Sequence, residues 1–192
     1  AEVLAPKHGW MFDRELAGGG LVRNTASHLI FLLEWFFGHP AQLTAKVGST
    51  YSSSIEDTVT ASLEYPNGIV GTIDASWSVP GKDILEVQLR VDGTRGSLTV
   101  TAEDIRLELE EPSLGFAVGR HRLHSSDLAV AGVFDLAPEA SGAAYYRHDE
   151  GFVSDIFDGR QPRTAFDAAA SAEEVIDAIY LSAENGEAVP LK

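Results

Sequence analysis

Thr58-Val59-Thr60-Ala61-Ser62-Leu63-Glu64-Tyr65-Pro66-Asn67-Gly68-Ile69-Val70-Gly71-Thr72-Ile73-Asp74-Ala75-Ser76-Trp77-Ser78-Val79 decides the fold. Thr58 to Tyr65 alternates apolar and polar residues, and Ile69 to Val79 has strand character. Pro66-Asn67-Gly68 between them is a strong turn signal, so the two runs pair as an antiparallel hairpin. Outward from it lie further short strands: Gln42 to Thr50, Ile84 to Val91, Ser97 to Thr101 and Ile105 to Leu109. Pro80-Gly81 and Asp92-Gly93-Thr94-Arg95-Gly96 punctuate them. Connections this short favour antiparallel neighbours, because parallel strands need long crossovers. Alternation within the strands calls for one buried face.

Helical segments flank this array. Leu29 to Phe37 is an apolar run of helical length that stops at Gly38, a plausible glycine cap. Tyr145 to Phe157 is helical up to Asp158-Gly159, and a last helix is expected from about Asp167, as its N-cap, to Asn185-Gly186. Residues 112–142 are rich in Gly, Ala, Ser and Pro and are expected to be an irregular excursion with one strand around Phe116 or Arg122. The expectation is one α+β domain over 1–192, an open, mainly antiparallel sheet with helices. A chain of 192 residues is long enough to bury a sizeable core.

Composition excludes several classes. With no cysteine there are no disulfides and no thiolate chemistry. A net charge of −15 argues against nucleic-acid binding. The longest apolar run is far short of the roughly 20 residues that a membrane span needs. No secretion signal opens the chain, which points to a cytoplasmic protein. The start at Ala1 suggests a processed or trimmed chain.

The chemistry concentrates in Gly18-Gly19-Gly20-Leu21-Val22-Arg23-Asn24-Thr25-Ala26-Ser27-His28. Three glycines permit a tight turn and close approach of another backbone or a ligand. Asn24 and His28 then stand four residues apart on one face of the first helical turns. The glycines are not a dinucleotide fingerprint, since Arg23 stands where G-x-G-x-x-G needs a small residue and no strand precedes them. Neither a P-loop nor a G-x-S-x-G elbow is present. His121-x-x-His124 with Asp127 has the form of a metal pair without helical periodicity, and His8 and His39 lie in turn-like segments with no partner in sequence. No metal site is expected.

The order of these fragments resembles the second domain of the Gfo/Idh/MocA oxidoreductases. Gly18-Gly19-Gly20-x-x-x-Asn24-x-x-x-His28 is similar to that family's G-G-G-x-L-x-D-x-G-x-H signature, with Trp10 and Asp13 before it. Tyr65-Pro66-Asn67-Gly68 with Gly71, Ser76-Trp77, Val91 to Leu98, Phe152 to Pro162 and Ala178 to Gly186 resemble its later motifs. The resemblance implies a fold like the C-terminal domain of GAPDH, an open antiparallel sheet with helices on one face and oligomerisation, as a homo-dimer or tetramer, through the other.

It also implies a sugar, polyol or related hydroxy substrate. NAD or NADP would be bound by a separate N-terminal Rossmann domain that this chain lacks, so the chain alone is expected to be inactive. His28 is implied as general acid/base and Asn24 as its orienting partner, with Arg23, Ser27, Trp77 and Trp10 as substrate contacts. The sequence departs from the signature at Asn24 in place of the acid, at Ala26 in place of a glycine and at Phe31 in place of an acid. Those departures leave a second reading open, a non-catalytic dimerisation or ligand-binding module.

Overall fold

The structure, a computed structural model, describes residues 9–79, 86–124, 142–162 and 164–192, without the side chains of 142–145 and 147. The expectations at Pro80-Gly81, Ile84-Leu85 and Asp127, and most of those for the excursion, lie outside the described residues. The chain divides into two compact units, Ala1–Lys82 with Tyr146–Lys192, and Asp83–Tyr145.

In the first unit a turn of 3-10 helix, Trp10–Phe12, leads to the short α1 (Arg14–Ala17), which Asp13 caps by accepting from the Glu15 and Leu16 amides. A π-helical turn, Val22–Ala26, runs directly into α2 (Ser27–Phe37). Strands β1 (Gln42–Gly48), β2 (Thr58–Glu64) and β3 (Val70–Ser76) follow. The last helices are α3 (Gly142–Phe157), most of which falls in this unit, and α4 (Phe166–Asn185). The sheet order is β3-β2-β1-β8, where β8 is the two-residue strand Val189–Pro190.

The hairpin forms as its sequence dictates. β2 and β3 pair antiparallel with Ala61 opposite Ile73, and the Tyr65 amide donates to the Ile69 carbonyl across the turn (2.9 Å). Leu43, Ala45, Val59, Ala61, Leu63 and Ile73 alternate onto one face and are buried. Against them pack Val22, Ala26 and Ile30 from the π turn and α2, and Val175, Ile176 and Ile179 from α4. The intervening Thr44, Lys46, Thr60, Glu64, Thr72 and Asp74 are exposed, so helices cover one face of this sheet alone, as period-2 alternation requires.

The second unit holds β4 (Leu89–Gly93), β5 (Gly96–Val100), β6 (Asp104–Leu109) and β7 (Gly119–His124), an antiparallel meander in that order. The strand expected around Arg122 is β7. Asp104, which is buried, accepts from Arg106 and is also ion-paired with Arg122. Burial alone would raise its carboxyl, but the two guanidiniums outweigh that and hold it below the usual carboxylate range.

Three local readings needed adjustment. α4 starts at Phe166 after an Ala165 N-cap, and Asp167 lies inside its first turn, where it accepts from Gln161 Nε2 (2.7 Å). β4 begins only at Leu89. β8 is too short and too close to the end to carry a pattern of its own. Its place is set by pairing with β1 at Gln42 and Leu43.

Candidate functional site

The glycine turn is shaped by what crowds it. A Cβ at Gly19 would fall 2.0 Å from the Tyr180 hydroxyl, and one at Gly20 would fall 2.1 Å from the Glu56 carbonyl oxygen. The close approach that the glycines permit is therefore used by protein, not left open for a ligand. The Leu21 amide donates to the Glu56 carbonyl (3.0 Å). The Gly20 and Val22 amides both donate to Glu56 Oε1 (2.7 and 3.1 Å), and Tyr180 Oη donates to the same oxygen (2.8 Å). Glu56 is buried. Burial, then the bond to Glu56 and its charge, push the Tyr180 phenol well above its ordinary value.

This arrangement also settles whether the turn suits a dinucleotide. Phosphate cradles need free amides at a helix N-terminus, whereas here a carboxylate already occupies two of them. The described strands are moreover all antiparallel, without a βαβ unit. The residues present do not fit a pyrophosphate.

Past the turn, Leu21, Val22, Ala26 and Ile30 face the core, while Asn24 and His28 are both exposed. Asn24 Oδ1 accepts from Thr25 Oγ1 (3.2 Å), and Thr25 Oγ1 accepts from Trp77 Nε1 (2.9 Å). With its oxygen so engaged, the exposed Asn24 amide has N–H donors that form no hydrogen bond among the described residues. Among the described residues no hydrogen bond or ion pair holds the His28 ring. Asn24 thus sits on a π turn, a local geometry frequent at functional sites, and His28 in the first turn of α2 directly after it.

The remaining sequence candidates are placed as follows. Trp77 is half-buried against the core and joins the segment through Thr25. Arg23 turns to α4, where it pairs with Glu173 and with Asp177 (2.7 Å) and lies over the Tyr180 ring at 5.9 Å. Ser27 Oγ donates to the Asn24 carbonyl (3.0 Å). Trp10 is 63% exposed in its 3-10 turn. The structure thus carries Asn24 and His28 on one segment, joins Trp77 to that segment through Thr25, and ties Arg23 and Ser27 to partners within the protein.

Sequence reasoning missed Glu56, Tyr180 and Thr25. The first two lie 36 and 124 residues from their partners, and no local pattern signals such distances. Thr25 was legible only as the neighbour of Asn24. His39, for which the sequence shows no partner, has two in the structure. Its Nδ1 lies 2.6 Å from Glu34 Oε1 and 3.1 Å from Ser171 Oγ, and Ser171 Oγ donates to Glu34 Oε1 (2.6 Å). Because a carboxylate only accepts, Nδ1 carries the proton. The serine hydroxyl is spent on the carboxylate, so this cluster is no nucleophile–base pair. It borders a cavity of about 470 Å³ between α2 and α4, lined also by Phe31, Trp35 and Ala168. Among the described residues no group of three or more His, Asp or Glu is placed to hold a metal. His121 and His124, three apart on β7, point to opposite faces.

A family model described as "GFO/IDH/MocA C-terminal domain" matches residues 2–99, just over half of the chain. The chain belongs to the GFO/IDH/MocA family. This GFO/IDH/MocA domain is 28% identical over 182 residues to D-xylose 1-dehydrogenase (NADP(+)) 2 of Haloferax volcanii, covering 93% of this chain and 50% of that protein. It is 26% identical over 175 residues to D-apiose dehydrogenase of Paraburkholderia graminis, covering 90% and 45%. It therefore spans about half the length of the curated relatives it matches.

Among solved structures, levoglucosan dehydrogenase in complex with NADH and levoglucosan superposes with a TM-score of 0.79 at 19% identity, over 96% of this chain and 53% of that one. An NAD binding oxidoreductase from Klebsiella pneumoniae gives 0.84 at 18%, over 98% and 55%. These likenesses establish the α+β fold of the domain. No helix among the described residues is long and apolar enough to cross a membrane.

Proposed function

We propose that this domain is the substrate-binding and catalytic part of an NAD(P)-dependent oxidoreductase acting on a sugar, polyol or related hydroxy compound. The carrying observation is the exposed Asn24–His28 pair, Asn24 on a π turn and His28 at the start of α2, after a glycine turn anchored by Glu56, in a domain whose curated relatives include a D-xylose 1-dehydrogenase and a D-apiose dehydrogenase. The nicotinamide cofactor belongs to an N-terminal Rossmann domain, since the glycine turn here cannot accommodate it. What this domain supplies is proton chemistry. The exposed His28 imidazole can take the proton of a substrate hydroxyl as the carbonyl forms, and return it in the reverse direction. The N–H groups of Asn24 hold an adjacent hydroxyl oxygen, which fixes the substrate against His28. Trp77 flanks them through Thr25. The domain pairs with a second copy through a sheet face, which light scattering of the full-length protein would report as a dimer or tetramer.

The replacement of an acid by Asn24 favours one other reading, a module that binds the sugar without turning it over. Both readings meet in one experiment. Full-length protein is assayed for NAD(P)-linked turnover on a panel of aldoses and polyols, beside His28→Ala. Turnover that falls on the order of 100-fold in the variant supports the enzyme. Sugar binding by calorimetry without any turnover in the wild type supports the module.

A further inference from the structure

We infer that Glu56, assisted by Tyr180, is the positioning residue for the Asn24–His28 pair. This rests on the proposed function above and extends it to groups that touch no substrate. The first amides of a helix have no intrahelical acceptor, and a side chain at the N-cap normally satisfies them. Here neither the π turn nor α2 has a side-chain cap. Glu56 does that work from 36 residues away, with one oxygen accepting from both Gly20 and Val22 while its own carbonyl takes the Leu21 amide. A carboxylate at a helix start is also favoured by the helix dipole.

Tyr180 donates to the same oxygen and fills the space that the missing Gly19 side chain leaves. Arg23, over the Tyr180 ring and paired with Glu173 and Asp177, fastens the same segment to α4. Three contiguous amides and one side chain are thus fixed immediately before Asn24. Small displacements there swing the imidazole off the substrate hydroxyl, and catalysis is sensitive to shifts of about 1 Å. The adjacent Asp57 is the internal control. It too is buried, and its carboxylate accepts from three backbone amides, but those of Thr50, Tyr51 and Ser52, on a different loop.

The test uses full-length protein and compares Glu56→Ala, Glu56→Gln, Tyr180→Phe, Asp57→Asn and His28→Ala, each assayed well below its melting temperature. Glu56→Ala should lose about tenfold or more in kcat with KM changed less than threefold. Glu56→Gln, whose amide oxygen can still accept from Gly20, Val22 and Tyr180, should restore kcat to within threefold of wild type. Tyr180→Phe should lose about threefold, and it carries the test if Glu56→Ala does not fold. Asp57→Asn should lower the melting temperature without lowering kcat. Undiminished kcat in both Glu56→Ala and Tyr180→Phe, with His28→Ala inactive, overturns the positioning role alone. So does an equal loss in Glu56→Gln and Glu56→Ala, or a kcat loss in Asp57→Asn that matches theirs. A wild type with no turnover overturns the functional reading and this role with it.

Discussion

A histidine stands at each end of α2, His28 in its first turn and His39 just past its Gly38 cap, yet the two ends are built on opposite principles. At the N-terminal end His28 is exposed and has no hydrogen-bond partner among the described residues, while the backbone behind it is held by a buried carboxylate that a tyrosine supports. At the C-terminal end His39 is itself the held group, bonded to Glu34 and Ser171, and Gly38 ends the helix with φ +83° in open space. One end fixes its backbone and leaves the imidazole available. The other spends the imidazole on structure. Availability, not the mere presence of a histidine near a helix end, is what separates a candidate base from a structural group.

The sharpest way to break this contrast is to exchange the losses. His28→Ala should reduce kcat/KM of the full-length protein on the order of 100-fold and leave the melting temperature within about a degree. His39→Ala should do the reverse, costing about 1–2 kcal/mol of stability with activity per folded molecule retained. A stability loss at His28, or an activity loss at His39 that persists in the folded fraction, would erase the distinction.

The glycines give a second handle of smaller size. Gly20→Ala drives a Cβ to 2.1 Å from backbone that cannot move independently, and should cost about 2–3 kcal/mol. Gly38→Ala meets no neighbour within 4 Å, so its cost should be only the strain of a φ +83°, ψ −174° backbone that glycine alone adopts readily, about 1–3 kcal/mol. Denaturant melts of the two variants test both values; a Gly20→Ala cost near zero would mean that the turn at Gly20 can open.

A third prediction separates the adjacent acids behind the N-terminal end. Burial acts to raise the Asp57 carboxyl, but the Tyr51, Thr50 and Ser52 amides and the Ser78 hydroxyl more than offset it, so the group is held below the usual carboxylate range. A folded-state value below the unfolded one contributes stability above the unfolded value of about 3.9. That contribution is lost as pH falls through the folded value. Asp57→Asn should therefore cost about 1–2 kcal/mol at neutral pH and flatten the acid limb of a stability–pH curve. An acid limb identical to wild type would count against it.

Much of this was legible in the residues because it is local. The Thr58–Ser76 hairpin follows from alternation and a Pro-Asn-Gly turn, and α2 from an apolar run closed by Gly38. His28 and Asn24 stood out through their spacing from the glycines. The N-cap of α4 was misplaced by two residues because Asp167 has capping chemistry, yet its side chain bonds Gln161 and its own turn instead. The π turn had no sequence signature, and the Gly20 and Val22 amides at its start are anchored from outside the helix, by Glu56.

By itself the sequence determined the strand pairing, the helical flanks and the residues able to move a proton, all of which depend on neighbours within a few positions. Only the tertiary structure decided that Glu56 and Tyr180 grip the glycine turn, that Arg23 is spent on α4 and that His39 is engaged while His28 is not. Apart from the His39–Glu34 contact, five residues apart, those outcomes turn on groups brought together across 36 to 154 residues of chain. Burial chooses such partners by shape and unsatisfied hydrogen bonds, which no local periodicity encodes.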